Sequence, residues 1–136
     1  MMKQSLPAIS FIGFLPCDEL PPDVLLKYLS GMPISIFTSP TPIEHYGNAS
    51  CEAVSEYDNG SRLEKTTLKF TTADEVPERQ DLAFIVKDAQ GREYVIGQKE
   101  RPFPMVEIST SVDKDENIKE VKVVFSARKS LVPNSF

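Results

Sequence analysis

A chain of 136 residues is long enough for one domain, covering residues 1–136, and leaves too little material for two independent cores. Its formal net charge of -5 opposes contact with phosphate-rich surfaces, so nucleic acid and membrane surfaces are not expected partners. Eleven prolines are more than a helical bundle tolerates, and the composition therefore favours strands and turns.

The two cysteines, Cys17 and Cys51, form neither a metal-binding pair nor a dense disulfide framework. We expect two reduced, partly buried thiols in a reducing compartment. Lys3 precedes an apolar stretch that ends near Cys17, as in a secretory signal, but Pro16 argues against cleavage at that cysteine. The sequence therefore predicts a cytoplasmic location.

The segment Pro21 to Gly31 carries the only convincing helix pattern. Apolar residues recur there at helical spacing, prolines open the segment and a glycine closes it. The residues of the apolar stripe are Leu25, Tyr28, Leu29 and Met32. Two short apolar runs, Ser10 to Leu15 and Ile34 to Thr38, are interpreted as strands on either side of this helix.

From Ala49 onward the period changes to two, which predicts three antiparallel hairpins. The first turns at Asn59-Gly60 and places Tyr57 opposite Arg62, Ala53 opposite Thr66 and Cys51 opposite Leu68. Its core face also includes Phe70, and its other face carries the charged residues Glu52, Glu56, Lys65 and Lys69.

The second hairpin turns at Asp88 to Gly91, as a type I turn followed by a left-handed glycine. This loop places Lys87 opposite Glu93, whereas a two-residue loop would oppose Lys87 with Arg92. The preceding run, Leu82 to Val86, is apolar at every position and predicts a strand buried on both faces.

The third hairpin joins Met105–Val112 to Ile118–Ala127. The proline-containing linker Arg101 to Pro104 is expected to cross between sheets, with Phe103 capping the core. Together these patterns predict a mainly β (α+β) domain, with about seven strands in an antiparallel β-sandwich or partly open barrel and one short N-terminal helix.

No motif predicts catalysis, a metal site or a cofactor. The acidic stretch Asp113 to Asn117 begins like a calcium loop, but Ile118 and Val124 stand where that loop needs glycine and glutamate. His45 and Tyr46 lie in the predicted loop Thr38 to Asn48, which is the best candidate for a ligand-binding loop.

Two segments are candidate interfaces. The last residues of the sequence include Leu131, Val132 and Phe136, which either pack on their own domain or insert into a neighbouring subunit. Lys99, Arg101 and Phe103 are a candidate docking surface for an acidic partner.

The run LAFIVKDAQGREYVIG from Leu82 to Gly97, followed by ERPFP from Glu100 to Pro104, resembles a segment of small prophage-encoded proteins from tail and virion-assembly gene clusters. The resemblance covers this hairpin segment only and implies a β-rich assembly component without catalysis, located in a virion if it is prophage-derived. It implies no site residues.

The sequence therefore predicts a non-catalytic structural or assembly protein whose partners are its own copies or other assembly proteins. The alternative is a monomeric module that binds a ligand or a peptide through the loop around His45.

Overall fold

The structure is a computed structural model that describes residues 3–6, 8–20, 22, 29–30, 39–58, 61–74, 76–77, 80–101, 103–110, 118–127 and 130–133. Nearly all of these residues lie in strands or in the turns between them, as the period of two predicts. In chain order the strands are β1 (Lys3–Ser5), β2 (Ile9–Pro16), β3 (Thr41–Ile43), β4 (His45–Asp58), β5 (Ser61–Thr72), β6 (Leu82–Asp88), β7 (Glu93–Ile96), β8 (Met105–Thr110), β9 (Lys119–Ala127) and β10 (Val132–Pro133).

The strands form two antiparallel sheets of five strands each. Sheet A has the order β1-β4-β5-β9-β8, and sheet B has the order β10-β7-β6-β2-β3. The two sheets pack face to face over a shared apolar core, as shown by the contact between the rings of Phe70 in sheet A and Phe84 in sheet B, whose centroids are 6.4 Å apart. The protein is therefore a β-sandwich, which confirms the predicted fold class.

All three predicted hairpins are present with the expected pairing. In the first, Cys51 pairs with Leu68, Ala53 with Thr66 and Tyr57 with Arg62. In the second, Lys87 pairs with Glu93 and Gly91 has a φ of 84°, so the three-residue loop that avoids like charges is the one that forms. The third hairpin pairs β8 with β9.

Strand β6 is buried on both faces, as predicted. One face, with Leu82, Phe84 and Val86, belongs to the core between the sheets. The other face, with Ala83 and Ile85, belongs to a second apolar cluster on the outside of sheet B, whose other members are Leu15, Cys17, Leu20 and Val95. Phe103 packs against this second cluster, which confirms that the linker before β8 covers apolar residues and crosses between the sheets.

Several parts of the sequence prediction differ from the structure or lie outside it. Strands β1, β3 and β10 were not predicted, because two or three residues are too few to show a period. Most of the predicted helix, the strand Ile34 to Thr38 and the acidic stretch Asp113 to Asn117 lie outside the described residues. Leu29, assigned to the apolar stripe of that helix, is 63% exposed.

A short 3₁₀ turn, Cys17–Glu19, follows β2 and is the start of the connection from β2 to β3 of the same sheet. Within the described ranges, no helix combines the length and the apolar composition needed to cross a lipid bilayer.

Gly97, at the end of β7, is a sensitive position in this packing. Its φ is 131°, and a Cβ atom there would lie 2.8 Å from Cβ of Ala83 and 3.2 Å from Cγ of Pro104. We expect Gly97→Ala to lower the free energy of unfolding by about 3 kcal/mol, because strain and overpacking add. Urea denaturation measures this change.

The matched control is Gly91→Ala. Gly91 also has a positive φ, of 84°, but apart from its two chain neighbours no residue comes within 4 Å of the added Cβ, so only backbone strain of about 1 kcal/mol is expected. Equal losses in the two variants would show that the contacts with Ala83 and Pro104 do not matter.

Candidate functional site

Among the strands that the structure describes, β8 is the longest edge strand. The sheets end at β1 and β8 in sheet A and at β10 and β3 in sheet B. Strand β8 has six residues, whereas the other three edge strands have two or three. Both β3 and β10 contain a proline, and β8 contains neither proline nor lysine. It therefore lacks the two residue types that usually prevent an edge strand from pairing with another chain.

The side chains of β8 leave apolar surface beside this open edge. Met105 is 62% exposed and points to the outside of sheet A, while Val106 and Ile108 face the core and are half-buried. Glu107 is exposed and stands opposite Lys122 of β9. A strand added to this edge would cover Val106 and Ile108 and satisfy the backbone groups that β8 presents to its open side.

The candidate interface residues near the end of the sequence are buried in their own chain. Leu131 is completely buried, Val132 is 2% exposed, and Val132 pairs with Val95 of β7 at the edge of sheet B. Of the two arrangements left open by the sequence, packing on the same domain is the one that the structure shows for these two residues. Phe136 lies outside the described residues.

A buried carboxylate holds this segment in place. The backbone N–H groups of Ser130 and Leu131 each donate to Oε1 of Glu64 at 2.9 Å, and the Ser130 hydroxyl donates to the same oxygen at 3.3 Å. The hydroxyl oxygens of Thr66 and Ser130 lie 2.6 Å apart. Glu64 is 7% exposed, so these charge-assisted hydrogen bonds are shielded from water. They tie the segment after β9 to the core as it crosses to sheet B.

Lys99 and Phe103 line a cleft of about 430 Å³ on the outside of sheet B. The other lining residues are Pro16, Cys17, Asp18, Glu19, Gln80 and Asp81. Arg101 is exposed and does not line the cleft. The structure thus brings two of the three residues of the candidate docking surface together and leaves the third apart.

The charge of this cleft differs from the prediction. Three carboxylates, on Asp18, Glu19 and Asp81, stand beside the single ammonium of Lys99. The sequence prediction of a surface for an acidic partner considered only the basic residues of one segment. The fold adds acidic residues from two other segments, so the field in the cleft disfavours an acidic partner.

Neither thiol is suited to nucleophilic chemistry. Burial and the neighbouring charge of Asp81 together raise the pKa of Cys17 to about 12, although a hydrogen bond from the Gln98 backbone acts to lower it. Burial and the charge of Glu52 raise the pKa of Cys51 to about 12. Because the thiolate is the reactive form, both residues are inert small apolar groups of the core.

His45 lies at the start of β4, not in a loop. It pairs with Thr72, and Tyr46 pairs with Thr71, before a bulge interrupts the ladder. The loop prediction was wrong because pairing with β5 extends the strand past residues whose sequence shows no alternation. His45 and Cys51 are separated by the ladder steps from Thr72 to Leu68, roughly 13 Å, which is too far for an activating hydrogen bond.

The sequence reasoning missed Glu64 and the β8 edge. Glu64 shares the inward face of β5 with Thr66 and Leu68, and a charged residue at a core-facing position of an alternating strand was the signal. For β8, the absence of proline and lysine was visible in the sequence. Its place at the edge of a sheet was not, because strand order depends on tertiary pairing.

We expect Glu64→Ala to lower the free energy of unfolding by about 3 kcal/mol, because two buried backbone N–H groups lose their acceptor. Urea denaturation measures the loss, and faster hydrogen exchange at the Leu131 amide locates it. The control is Lys65→Ala, an exposed neighbour on β5, for which less than about 0.5 kcal/mol is expected. Unchanged exchange at Leu131 would contradict the role of Glu64 as the anchor.

We expect neither native thiol to react with a thiol reagent at pH 8, since both are buried and their pKa values are about 12. Absorbance of the released reagent should show no fast phase in the folded protein and two equivalents after addition of guanidinium chloride. A fast equivalent in the folded protein would disprove the assignment of Cys17 and Cys51 to the core.

Among the residues placed by the structure, no group of three His, Cys, Asp or Glu side chains stands close enough to hold a metal ion. A scan against protein-family models, a search of curated proteins and a search of solved structures each found no match to this chain. The geometry of the sandwich is therefore the basis for assigning a function.

Proposed function

We propose that this protein is a non-catalytic assembly protein that associates with another β domain through the open edge of β8. The observation that carries the proposal is the edge itself: six residues at the end of sheet A, with half-buried Val106 and Ile108 and the exposed Met105. Pairing of edge strands is a common way to join β domains, because it satisfies backbone groups and covers apolar side chains together.

The other surfaces support an association role less well. Leu131 and Val132 are buried in the sandwich, so they do not offer an exposed apolar segment to a partner.

The chemistry of the side chains supports a non-catalytic role. Both thiols have pKa values of about 12, and His45 lies far from Cys51. A narrower role in virion or tail assembly is supported only by the resemblance of the segment Leu82 to Pro104.

A second candidate function is a monomeric binding module. The cleft beside Cys17 favours it, because a volume of about 430 Å³ lies within the range of small-ligand sites. Its three carboxylates and the ring of Phe103 suit an amine or guanidinium group. This site is on the outside of sheet B and does not involve His45 or Tyr46, the residues that the sequence suggested.

The solution mass tests the proposal. We expect the full chain to associate at micromolar concentration and the variant Ile108→Lys to be monomeric, because an inward-facing lysine on an edge strand blocks strand addition. Light scattering on a size-exclusion column measures both. The control is Gln90→Lys, which adds the same charge at an exposed turn of sheet B and should associate like the unchanged chain.

A chain that stays monomeric at every concentration would contradict self-association and favour the binding module. An oligomer that Ile108→Lys leaves intact would retain the assembly role and exclude β8 as its surface.

A further inference from the structure

We infer that the partner of β8 is β8 of a second copy of this chain, paired antiparallel about a two-fold axis that passes beside Ile108. This inference rests on the proposed function and specifies its partner and register. Such pairing would join two copies of sheet A into one continuous sheet of ten strands, since each copy contributes the five strands that end at β8.

The first constraint is the alternation of faces. In β8, Val106 and Ile108 face the core, while Met105, Glu107 and Ser109 face outward. Opposed residues of an antiparallel pair share a face, so a register shifted by one residue would place core-facing residues against outward-facing ones. The two-fold axis must therefore pass beside a residue rather than between two residues.

Two registers of this kind overlap five residues of the strand. With the axis at Glu107, the strands overlap over residues 105–109, and with the axis at Ile108 they overlap over residues 106–110. The first register gives good apolar pairing, because Val106 of each copy then faces Ile108 of the other. It also places Glu107 directly against its own copy, and like charges directly opposite each other destabilise a sheet.

The axis at Ile108 removes this repulsion. Glu107 then faces Ser109 of the other copy, and Ile108 faces Ile108, which buries the half-exposed apolar side chains at the centre of the interface. Glu107 is the only charged residue of β8, and it already stands opposite Lys122 of its own chain. The edge therefore carries little uncompensated charge despite the net charge of the whole chain, which favours a second copy as the occupant.

Cysteine cross-linking tests the register. In the proposed pairing, the two copies of residue 108 are directly opposite, with Cα atoms about 5 Å apart, which suits a disulfide. Residues 109 of the two copies are offset by two positions, or about 8 Å, which is beyond disulfide reach. We expect the oxidant diamide to cross-link Ile108→Cys into a covalent dimer and to leave Ser109→Cys monomeric on a non-reducing gel.

The native cysteines do not interfere, because both are buried with thiol pKa values of about 12. A second test leaves Ile108 unchanged, in case its replacement weakens association. An equal mixture of Val106→Cys and Thr110→Cys chains should form a mixed disulfide, since residue 106 faces residue 110 in the proposed register. Mass spectrometry distinguishes the mixed dimer from the two homodimers.

A mixture of Val106→Cys and Ile108→Cys chains tests the alternative register, with the axis at Glu107, because residue 106 faces residue 108 in that register. This mixture leaves Glu107 itself unchanged. A mixed disulfide from this pair would place the axis at Glu107 and overturn the inference. A third outcome is a chain that associates and that Ile108→Lys makes monomeric, but in which none of these cysteine pairs forms a disulfide. This outcome would overturn the inferred register and leave β8 as the assembly surface. A strictly monomeric chain would overturn the inference, whereas the proposed function would then require a different β domain as the partner of β8.

Discussion

The burial of β6 on both faces is the constraint on which the rest of this structure depends. Its inner face meets sheet A across the main core, and its outer face meets a second apolar cluster around Cys17 and Leu20. A strand with two apolar faces needs cover on each side. The connection after β2 and the linker at Phe103 supply part of the outer cover, and they also form the walls of the cleft.

The other strands follow from this central position. Strand β6 pairs with β2 on one side and with β7 on the other, so both are held beside the centre of sheet B. The segment after β9 then closes the far edge of that sheet, where β10 pairs with β7. Glu64 makes this crossing stable by accepting hydrogen bonds from the backbone of Ser130 and Leu131.

The edges of the two sheets are therefore protected to different degrees. Sheet B ends in two very short strands that contain proline, and at one end of sheet A the three residues of β1 pair with Glu52, Ala53 and Val54 of β4. Strand β8 is the longest of the described edge strands and carries the apolar side chains of Met105, Val106 and Ile108. This asymmetry connects the fold to the proposed role, because an association through one edge of one sheet produces a defined pair rather than an open aggregate.

Turn residues and the alternation of apolar and polar residues were sufficient to predict the three hairpins from the sequence. Turn residues determine the register of the first hairpin, in which Cys51 pairs with Leu68. Turn residues and the avoidance of like charges determine the register of the second hairpin, in which Lys87 pairs with Glu93. Each register depends only on the turn between two strands that are close in sequence. Alternation also identified the core face of β5, and the unbroken apolar run from Leu82 to Val86 identified the double burial of β6. These features were predictable because each is decided within one hairpin.

The order of the strands, the short edge strands and the candidate sites were decided only by the tertiary structure. The cleft collects residues from three separate segments, and its acidic character appears only when Asp18 and Asp81 meet Lys99. Likewise, the exposure of β8 and the burial of Leu131 follow from which strands lie at the edges. The sequence by itself determined a β domain built from three hairpins. Tertiary packing decided which surfaces it presents, because contacts between distant segments depend on the whole core and leave no local period in the chain.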